Sequence, residues 1–388
     1  MSLLDRMRAL VPRMTGDIRE LVECESPSAD AGAVARSADV VARLGTRLLG
    51  VAPERFGPAH LRWQFGGPAR VLSRPGAESR MPPRVLLLGH HDTVWPLGSL
   101  ATRPYAMSGG VLRGPGCFDM KAGLVVAFYA VAALPDRAGV TVLVTGDEEI
   151  GSPTSRDLIE STALGCAGTL VLEASADGGA VKTERKGTSA YRVQVTGRAA
   201  HAGLEPERGV NASVELAHQL LAVTALGDPA LGTTVTPTVL TAGTTTNTVP
   251  AAGEFAVDVR ACDVAEQARV DRALHALRPV LPGARLTVSG GPNRPPLSSA
   301  ASSDLYARAV KLAGAIGLAV PGRAAVGGGS DGNFTAGLGI PTLDGLGAVG
   351  GGAHADDEHV LVGELPGRAA LVAALVADLL GRGADLRG

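Results

Sequence analysis

The sequence predicts an α/β protein in which a small ferredoxin-like α/β unit is inserted into a larger, discontinuous domain. In the first half of the chain, short apolar runs typical of buried strands alternate with helical patterns, which favours a sheet covered by helices. From Tyr191 the strands instead alternate apolar and polar residues, and the elements follow in the order βαββαβ. The first pattern resumes after residues 290–296. We therefore predict a large domain at 1–186 and 294–388, with the inserted unit at 187–293.

Length and charge narrow the classes of function. At 388 residues the chain exceeds the size at which one core usually stops growing, so two domains are expected. The 36 Lys and Arg residues nearly balance the 38 Asp and Glu residues, and the formal charge is -2. This balance argues against a nucleic-acid partner and against an anionic membrane partner. No apolar run approaches the roughly 20 residues of a membrane span.

The N-terminus and the cysteines indicate the compartment. Residues 1–6 lack the continuous apolar region and the cleavage pattern of a signal peptide. The four cysteines are scattered and form no CxxC pair, so neither a disulfide framework nor a thiolate metal site is indicated. We therefore expect a cytoplasmic protein.

Two helical patterns and a loop precede the first buried strand. Apolar residues recur at spacings of three and four over residues 3–22 and predict an amphipathic helix that ends before Ser26-Pro-Ser28. A second helical pattern follows near residues 35–49. Residues 66–83 are rich in Gly, Pro and Arg and predict an exposed loop.

Polar residues with metal-binding chemistry follow the strand predicted at residues 85–88. His90 and Asp92 come directly after it, at the carboxyl end where open α/β sheets place their ligands. A neutral imidazole can bind a metal while a nearby carboxylate holds its other N–H and fixes the tautomer. Taken alone, this pair is weak evidence for a metal site, and a polar turn after a strand is the simpler explanation.

The same arrangement is repeated at two further predicted strands, residues 140–144 and 170–172. The first runs into three consecutive carboxylates, Asp147 to Glu149, which need cations or solvent to stay ionised together. The second ends at Glu173. Since three separate strands end in His, Asp or Glu, chance placement becomes the poorer explanation. Asp119 precedes an apolar helix predicted at 124–134 and, taken alone, is best explained as its N-cap.

The inserted unit and the tail complete the predicted elements. After its first strand, the insert continues with a helix at 210–225, strands at 233–241 and 254–261, a helix from Asp263 to about residue 277 and a strand at 285–288. A last helix covers 365–380. The Gly-rich loops near 327–332 and 350–352 lack the Lys-Ser/Thr of a P-loop and the GxGxxG context of a dinucleotide fold. A nucleotide site is therefore not expected.

The candidate ligands contain nitrogen and oxygen but no sulfur. This set suits two divalent, zinc-like ions with one bridging carboxylate. Five ligands and a bridging water would leave each metal open for catalysis. The set consists of His90, Asp119, Glu149, Glu173 and His354, with Asp92 and Glu148 beside two of its members.

Five motifs resemble those of the dizinc exopeptidase and amidohydrolase family, in the family's order and over nearly the whole chain. That family includes glutamate carboxypeptidases, acetylornithine deacetylases, succinyl-diaminopimelate desuccinylases and aminoacylases. The resemblance implies a zinc-peptidase catalytic domain with a mixed central sheet flanked by helices, and an inserted lid or dimerisation domain. The motifs are Gly89-His-His-Asp-Thr-Val94, Gly114-Pro-Gly-Cys-Phe-Asp-Met-Lys121, Asp147-Glu-Glu-Ile-Gly-Ser152, Leu172-Glu173 and His354-Ala-Asp-Asp-Glu-His359.

The resemblance also implies a role for each candidate. His90 and His354 would be terminal ligands of different metals and Asp119 would bridge them. Glu149 and Glu173 would complete the two sites, and Asp92 would hold His90. Glu148 would be the general base on the bridging water, instead of part of a solvated acidic turn with Asp147. His91 has no assigned role and is interpreted as a structural neighbour.

The inserted unit carries three further residues that match the family. His201, in Arg198-Ala-Ala-His-Ala-Gly203, would stabilise the developing oxyanion in a neighbouring subunit's active site, which implies a homodimer. Asn247 and Arg260 would hold polar and carboxylate groups of the substrate. These three assignments depend mainly on the resemblance.

One departure concerns the substrate. Glutamate carboxypeptidases tend to carry a basic residue shortly before the Gly-Gly-Gly-Thr/Ser-Asp segment, whereas here Ala324, Ala325 and Val326 precede Gly327 and the nearest basic residue is Arg323. This argues against specificity for a C-terminal glutamate, although the rest of the tail favours the glutamate carboxypeptidase branch.

The predicted activity is metal-dependent hydrolysis of an amide bond next to a free carboxylate, in a dipeptide or an N-acyl amino acid. Two zinc ions per chain are expected, with cobalt or manganese as substitutes. An N-acyl-amino-acid deacylase shares the same zinc chemistry and is the first alternative. The second is a catalytically silent relative with a binding role, which the loss of a ligand or of the base would favour, and none is missing.

Overall fold

The computed structural model of the protein describes residues 1–66 and 84–382. The loop predicted at 66–83 therefore lies, apart from Gly66, outside the described residues. None of the helices in these two ranges combines the length and the apolar character that a membrane span requires.

Helices and strands are numbered separately in chain order. The helices are α1 (Leu3–Ala9), α2 (Val11–Glu23), α3 (Ala31–Leu49), α4 (Ser99–Thr102), α5 (Ala122–Ala132), α6 (Arg156–Ala163), α7 (Ala212–Thr224), α8 (Val264–His275), α9 (Ser299–Ala315), α10 (Gly332–Gly337) and α11 (Leu365–Leu379). The strands are β1 (Glu54–Phe56), β2 (His60–Gln64), β3 (Val85–His90), β4 (Ala106–Ser108), β5 (Val111–Arg113), β6 (Val140–Thr145), β7 (Gly168–Val171), β8 (Val181–Arg185), β9 (Gly187–Thr196), β10 (Thr234–Ala242), β11 (Ala252–Ala261), β12 (Arg285–Arg294), β13 (Arg323–Val326), β14 (Thr342–Leu343), β15 (Gly350–Gly351) and β16 (His359–Leu361).

The N-terminal helices differ from the prediction. The single helix expected over 3–22 is wrong, because the chain forms α1 and α2 with a break at Leu10. Pro12, in the first turn of α2, has no N–H to donate to the preceding turn, and its ring would clash with a carbonyl four residues earlier. The second helix begins at Ala31, before the predicted residue 35, because the Asp30 side chain accepts a hydrogen bond from the Ala33 N–H.

The chain forms two compact units, and the first comprises Met1–Glu184, Ser299–Ala325 and Ser330–Gly388. Its main sheet is mixed and has the strand order β1-β2-β6-β3-β7-β14. Strands β6, β3, β7 and β14 run parallel, whereas β1 and β2 are antiparallel to their neighbours. A smaller sheet in the same unit has the order β15-β16-β5-β4.

Helices cover both faces of the main sheet, which explains why β3 and β6 are buried along their whole length. Successive side chains of β3 point to opposite faces. Val85 and Leu87 join the large core that includes α2, α3, α5 and α11. Leu86 and Leu88 pack instead with residues of α6 and α10, such as Ile159. This two-sided burial accounts for continuous apolar runs in place of alternation.

The second unit comprises Arg185–Ser298 and Val326–Gly329. Its sheet is antiparallel, with the order β10-β11-β9-β12. Alternate residues of β9 face α7 and α8, and Tyr191, Val193 and Val195 form a core with Phe255. The order of elements along the chain is the predicted βαββαβ, and the predicted fold class is confirmed.

Candidate metal centre

His90 is the last residue of β3, and its two ring nitrogens have different surroundings. Nδ1 lies 3.0 Å from the main-chain oxygen of Asp92 and 3.4 Å from the Oδ1 atom of the same residue. A proton on Nδ1 therefore donates to Asp92, which leaves the lone pair on Nε2. Nε2 lies 3.3 Å from Glu173 Oε1, 3.5 Å from Asp119 Oδ1 and 4.0 Å from Glu148 Oε2. The ring is thus held in the tautomer that a metal ligand needs.

The buried Asp92 carboxylate contacts both His90 and the segment after β6 that carries Glu148 and Glu149. Its Oδ1 atom accepts a hydrogen bond from the Glu148 N–H, and its Oδ2 atom accepts one from the Glu149 N–H, each at 3.2 Å. Oδ2 also accepts from Ser28 Oγ at 2.6 Å, a contact that no sequence pattern indicated. Burial raises the pKa of Asp92, but the contacts with His90 and Ser28 outweigh it and hold the pKa below its usual value.

Asp119 is not the N-cap of α5, and that interpretation is wrong. Lys121 occupies the cap position without a side-chain cap bond. Asp119 lies in the preceding turn, Cys117–Lys121, with an extended backbone. Its Oδ1 atom lies 3.5 Å from His90 Nε2, and its Oδ2 atom lies 3.4 Å from His354 Nε2. One carboxylate therefore faces both histidines, as a bridging ligand would.

The turn that carries Asp119 is fixed by Glu358, which sequence reasoning did not assign. Glu358 Oε1 accepts hydrogen bonds from the Phe118 and Asp119 N–H groups at 2.9 and 3.0 Å. Its Oε2 atom accepts from the Gly116 N–H and from Trp95 Nε1. Gly116 has a φ of 70°, in the left-handed region that favours glycine. Glu358 lies within the recognised motif at 354–359, but a carboxylate that binds N–H groups has the same sequence signature as one that binds a metal.

The three consecutive carboxylates after β6 have different contacts. Asp147 is buried and turned towards the following segment, where its Oδ2 atom accepts from the Thr154 N–H and Oγ1 at 2.7 Å. Glu149 Oε2 lies 3.2 Å from His354 Nε2, and Glu148 Oε2 faces His90. Only Glu148 and Glu149 therefore belong to the cluster, and Asp147 stabilises the loop that carries them.

Two further histidines of these motifs, His354 and His91, have opposite environments. His354 is half-exposed and has a φ of 62°, a left-handed conformation that is uncommon outside glycine. His91 is fully buried, with Nδ1 3.1 Å from Ser37 Oγ and Nε2 2.8 Å from the Ala59 carbonyl oxygen. Burial lowers the pKa of His91 to about 4, so the ring is neutral and structural.

The electrostatics of the cluster favour added positive charge. Contacts with Asp119 and Glu149 raise the pKa of His354 to about 10. Burial alone would lower the pKa of His90, but its contacts with Asp119, Asp92 and Glu173 raise it well above the usual value. Burial raises the pKa of Glu149, and the nearby Asp119 carboxylate raises it further.

The residues present fit a metal centre. His90 Nε2 and Glu149 Oε1 are buried and have no hydrogen-bond partner among the described residues. Buried polar atoms of this kind normally have a partner, and a bound cation would supply one. Two groups of three residues each offer donor atoms that lie within 4.8 Å of one another, and His90 belongs to both. The first group is His90, Glu148 and Glu173. The second is His90, Asp119 and Glu149. Because Glu148 is a member of the first group, its role as a base and not a ligand stays a prediction.

The second unit holds the other three predicted residues. His201 and Asn247 are exposed and lie on neighbouring segments, since the Ala202 N–H donates to the Asn247 carbonyl. His201 Nδ1 accepts from the N–H groups of Gly203 and Leu204 at 3.1 and 3.2 Å, which leaves Nε2 as the protonated nitrogen. Arg260 forms a two-point ion pair with Asp258, with both distances 2.8 Å.

Comparison with known proteins identifies the family. The sequence matches the profile of Peptidase family M20/M25/M40 over residues 86–378. The chain belongs to this family. It is 30% identical over 381 residues to Carboxypeptidase G2 from Pseudomonas sp. (strain RS-16), covering 95% of this chain and 89% of that protein. It is also 30% identical over 240 residues to Succinyl-diaminopimelate desuccinylase 2 from Shewanella loihica, covering 56% and 61% of the two chains.

Solved structures of M20 proteins share the fold. An M20 family metallo-carboxypeptidase from Sulfolobus solfataricus has a TM-score of 0.71 at 16% identity, covering 94% of this chain and 98% of that one. The Bacillus subtilis YXEP protein, described as a dinuclear metal binding peptidase from the M20 family, has a TM-score of 0.65 at 14% identity, covering 97% and 99%. The predicted family is confirmed, and the protein is a metal-dependent peptidase or amidohydrolase.

Proposed function

We propose that this M20 enzyme hydrolyses an amide bond next to a free carboxylate, in a dipeptide or an N-acyl amino acid, with two zinc ions per chain. The observation that carries the proposal is the position of Asp119 between His90 and His354, with one carboxylate oxygen facing each ring at 3.5 and 3.4 Å. The similarity to Carboxypeptidase G2 over 95% of the chain supports the carboxypeptidase-like substrate.

The donor atoms favour zinc, although cobalt or manganese would fit the same set. Imidazole nitrogen and carboxylate oxygen suit a borderline divalent ion, and neither donor group found among the described residues includes a cysteine. His90, Asp119 and Glu173 would hold one ion, and His354, Asp119 and Glu149 the other. When bound, such ions lower the pKa of a water molecule and polarise the substrate carbonyl.

The protein's own residues supply the proton transfer and the positioning. Glu148 Oε2 takes the proton of the attacking water and returns it to the leaving nitrogen, as general-base catalysis requires. Asp92 keeps His90 in one tautomer and, through the Glu148 N–H, fixes the backbone that carries the base. His201 would stabilise the oxyanion through Nε2, and Asn247 and Arg260 would hold the polar and carboxylate groups of the substrate.

A homodimer formed through the second unit is part of the proposal. Strand β10 lies at the edge of its sheet and carries the exposed side chains of Val239 and Leu240. Leu221 on α7 is also exposed. Unpaired edges with exposed apolar residues are sites of pairing with another chain, and a second copy would supply His201 to a neighbouring site. A cytoplasmic location, which the four free cysteines favour, is also part of the proposal.

N-deacylation is the second candidate, and a specific relationship favours it. The chain is 28% identical over 373 residues to Succinyl-diaminopimelate desuccinylase from Gluconacetobacter diazotrophicus, covering 82% of this chain and 87% of that protein. The missing basic residue before Gly327 removes one argument for a terminal glutamate. The two candidates share their chemistry and differ in the acyl group.

A metal-depletion experiment with a substrate panel tests the proposal. Purified protein is assayed against dipeptides and N-acyl amino acids before chelation, after chelation, and after zinc, cobalt or manganese is restored. Chelation should abolish hydrolysis, and activity should return in proportion to metal content up to two ions per chain. His354→Ala should reduce the metal content, whereas Asp356→Asn in the same segment should not. Full activity in metal-free protein would contradict the proposal.

A further inference from the structure

A cleft of about 490 Å³ lies directly beside the candidate metal centre, entirely within the first unit. Glu149 forms part of its wall, and most of its remaining surface is apolar. Val94, Leu97 and Ile150 contribute to that surface and are between 42% and 56% exposed. These apolar side chains are exposed on the surface of the first unit, in a cleft that Glu149 also lines.

The cleft is preformed by hydrogen bonds between its walls. Residues 26–28 pair with Thr93 through two main-chain hydrogen bonds. The Ser28 N–H donates to the Thr93 carbonyl at 3.1 Å, and the Thr93 N–H donates to the Ser26 carbonyl at 2.8 Å. The Glu25 carboxylate accepts from the N–H groups of Gly98 and Leu100, each at 2.9 Å, and so fixes the segment that carries Leu97. A ligand therefore does not have to order these loops on binding, which favours affinity for even a small group.

The charge of the cleft decides which part of a substrate it accepts. None of the residues that line it, all of them within the described part of the chain, is Lys or Arg. Its charged members are the carboxylates of Asp30 and Glu149. A free carboxylate placed among these apolar walls would lose its water without gaining a cation of the protein.

We infer that this cleft binds the acyl side of the scissile amide and selects uncharged, apolar acyl groups. The inference rests on the proposed function, in which the other side of the amide carries the free carboxylate. A carboxylate that loses its water in the cleft needs a cationic partner, and the lining residues include neither Lys nor Arg, so the acyl group is the part that remains. The substrate class is then an amino acid with an apolar N-acyl or N-terminal residue, and a succinyl group is disfavoured.

A matched pair of substrates tests the inference. The N-butanoyl and N-succinyl derivatives of one amino acid have acyl chains of the same length, and differ in whether the chain ends in a methyl group or a carboxylate. The metal-loaded wild-type enzyme should show a kcat/KM at least about tenfold higher for the butanoyl compound. It should also prefer butanoyl to acetyl by about tenfold, the gain expected from two further buried methylene groups.

Two variants place the effect in the cleft. Leu97→Lys puts a cation among the lining residues and should reduce the butanoyl-to-succinyl ratio by at least about threefold, the scale of a partly exposed ion pair. Leu164→Lys makes the same change at an exposed leucine that does not line the cleft, and should leave the ratio unchanged. A succinyl preference in the wild-type enzyme, or an identical ratio in Leu97→Lys, would overturn the inference while leaving the hydrolase activity in place.

Binding measured without turnover separates this inference from the proposed function. In Glu148→Gln, calorimetry with the same two compounds should give a lower Kd for the butanoyl derivative, by a factor similar to the kinetic ratio. If the wild-type enzyme hydrolyses no member of the panel, the proposed function fails, and the ratio of the two Kd values then decides the inference alone. Equal Kd values would refute it.

Discussion

The candidate metal centre in the first unit and the predicted substrate residues in the second unit are held in opposite ways. His90 and Asp92 are buried, and the Asp92 carboxylate accepts three hydrogen bonds from other segments. His201 and Asn247 are exposed, and Arg260 is already paired with Asp258. The residues of the first region are fixed by internal contacts, whereas those of the second unit are exposed or paired with a neighbouring side chain.

This contrast predicts two kinds of response to substitution. Within the candidate metal centre each carboxylate has its own contacts. Substitution of a single carboxylate should therefore remove either metal binding or proton transfer almost completely. In the second unit, the predicted residues contact solvent or nearby residues of the same unit, so changes there should alter kcat or KM while the metals stay bound. The four predictions below test this difference, from the largest effect to the smallest.

The largest effect is expected at two adjacent carboxylates. Glu148→Gln should keep both metals and lower kcat by roughly 10²–10⁴-fold, because the proton acceptor is removed. Glu149→Gln should lose metal as well as activity, because Glu149 Oε2 faces His354. Metal content by elemental analysis and kcat are measured on the same samples. An equal loss of metal in the two variants would show that the assignment of base and ligand is wrong.

The second prediction concerns His201. His201→Ala should lower kcat by about 10²–10³-fold, the scale for removing one oxyanion donor, with both metals retained. His218→Ala, at an exposed histidine on α7 in the same unit, is the matched control and should leave kcat unchanged.

Mixing inactive chains shows which subunit His201 serves. When His201→Ala and Glu148→Ala chains exchange subunits, one site in each mixed dimer regains both an intact base and an intact histidine if His201 acts on the neighbour. Activity should then return. Continued inactivity after proven subunit exchange would remove the trans-acting histidine from the mechanism and leave the metal chemistry unaffected.

The sequence predicted the positions of the strand ends better than the contacts made there. The buried runs before His90, Glu148 and Glu173 are visible because strand burial leaves a continuous apolar pattern. The local context of Asp119 favoured a cap, because an Asp before a helix has the same pattern whether it caps or binds a metal, and only the family resemblance predicted a bridging ligand. Its real contacts, with His90 and His354, join residues far apart in sequence.

Two further features, the role of Glu358 and the break between α1 and α2, were not predicted from the sequence. The supporting role of Glu358 depends on N–H groups about 240 positions away in the chain, which no local pattern records. The break between α1 and α2 could have been found, because Pro12 interrupts an otherwise regular apolar pattern. The division of roles between Glu148 and Glu149, and the roles of the second unit, came from resemblance and not from spacing.

The third prediction concerns stability and pH. Burial lowers the pKa of His91 from its ordinary 6.5 to about 4. Between these values the unfolded chain takes up a proton that the folded chain does not, so the free energy of unfolding falls as the pH drops from 6.5 towards 4. The total loss from this group is about 3 kcal/mol. Urea unfolding of metal-free protein at several pH values measures it.

Substitution of His91 shows whether this group is responsible. His91→Asn should flatten the pH dependence of stability in that window, although it lowers stability at pH 7 by disturbing the contacts with Ser37 and Ala59. His218→Asn, at the exposed histidine, should leave the pH dependence unchanged. An unchanged slope in His91→Asn would assign the acid sensitivity to other groups.

The smallest effect is expected at Arg260. The Asp258 carboxylate already binds the guanidinium that is proposed to bind the carboxylate of the substrate. Nε and Nη2 of Arg260 bind the two oxygens of Asp258 at 2.8 Å, so a substrate carboxylate must compete with or share this pair. Both side chains are a third or more exposed, and such pairs contribute about 0–1 kcal/mol. Asp258→Asn should therefore lower KM by up to about fivefold, whereas Arg260→Ala should raise it, with kcat little changed in either case.

Glu254→Gln releases Arg192 from an ion pair on the same sheet and should not alter KM. If Asp258→Asn and Arg260→Ala both leave KM unchanged and lower stability equally, the pair is structural, and the substrate carboxylate is bound elsewhere.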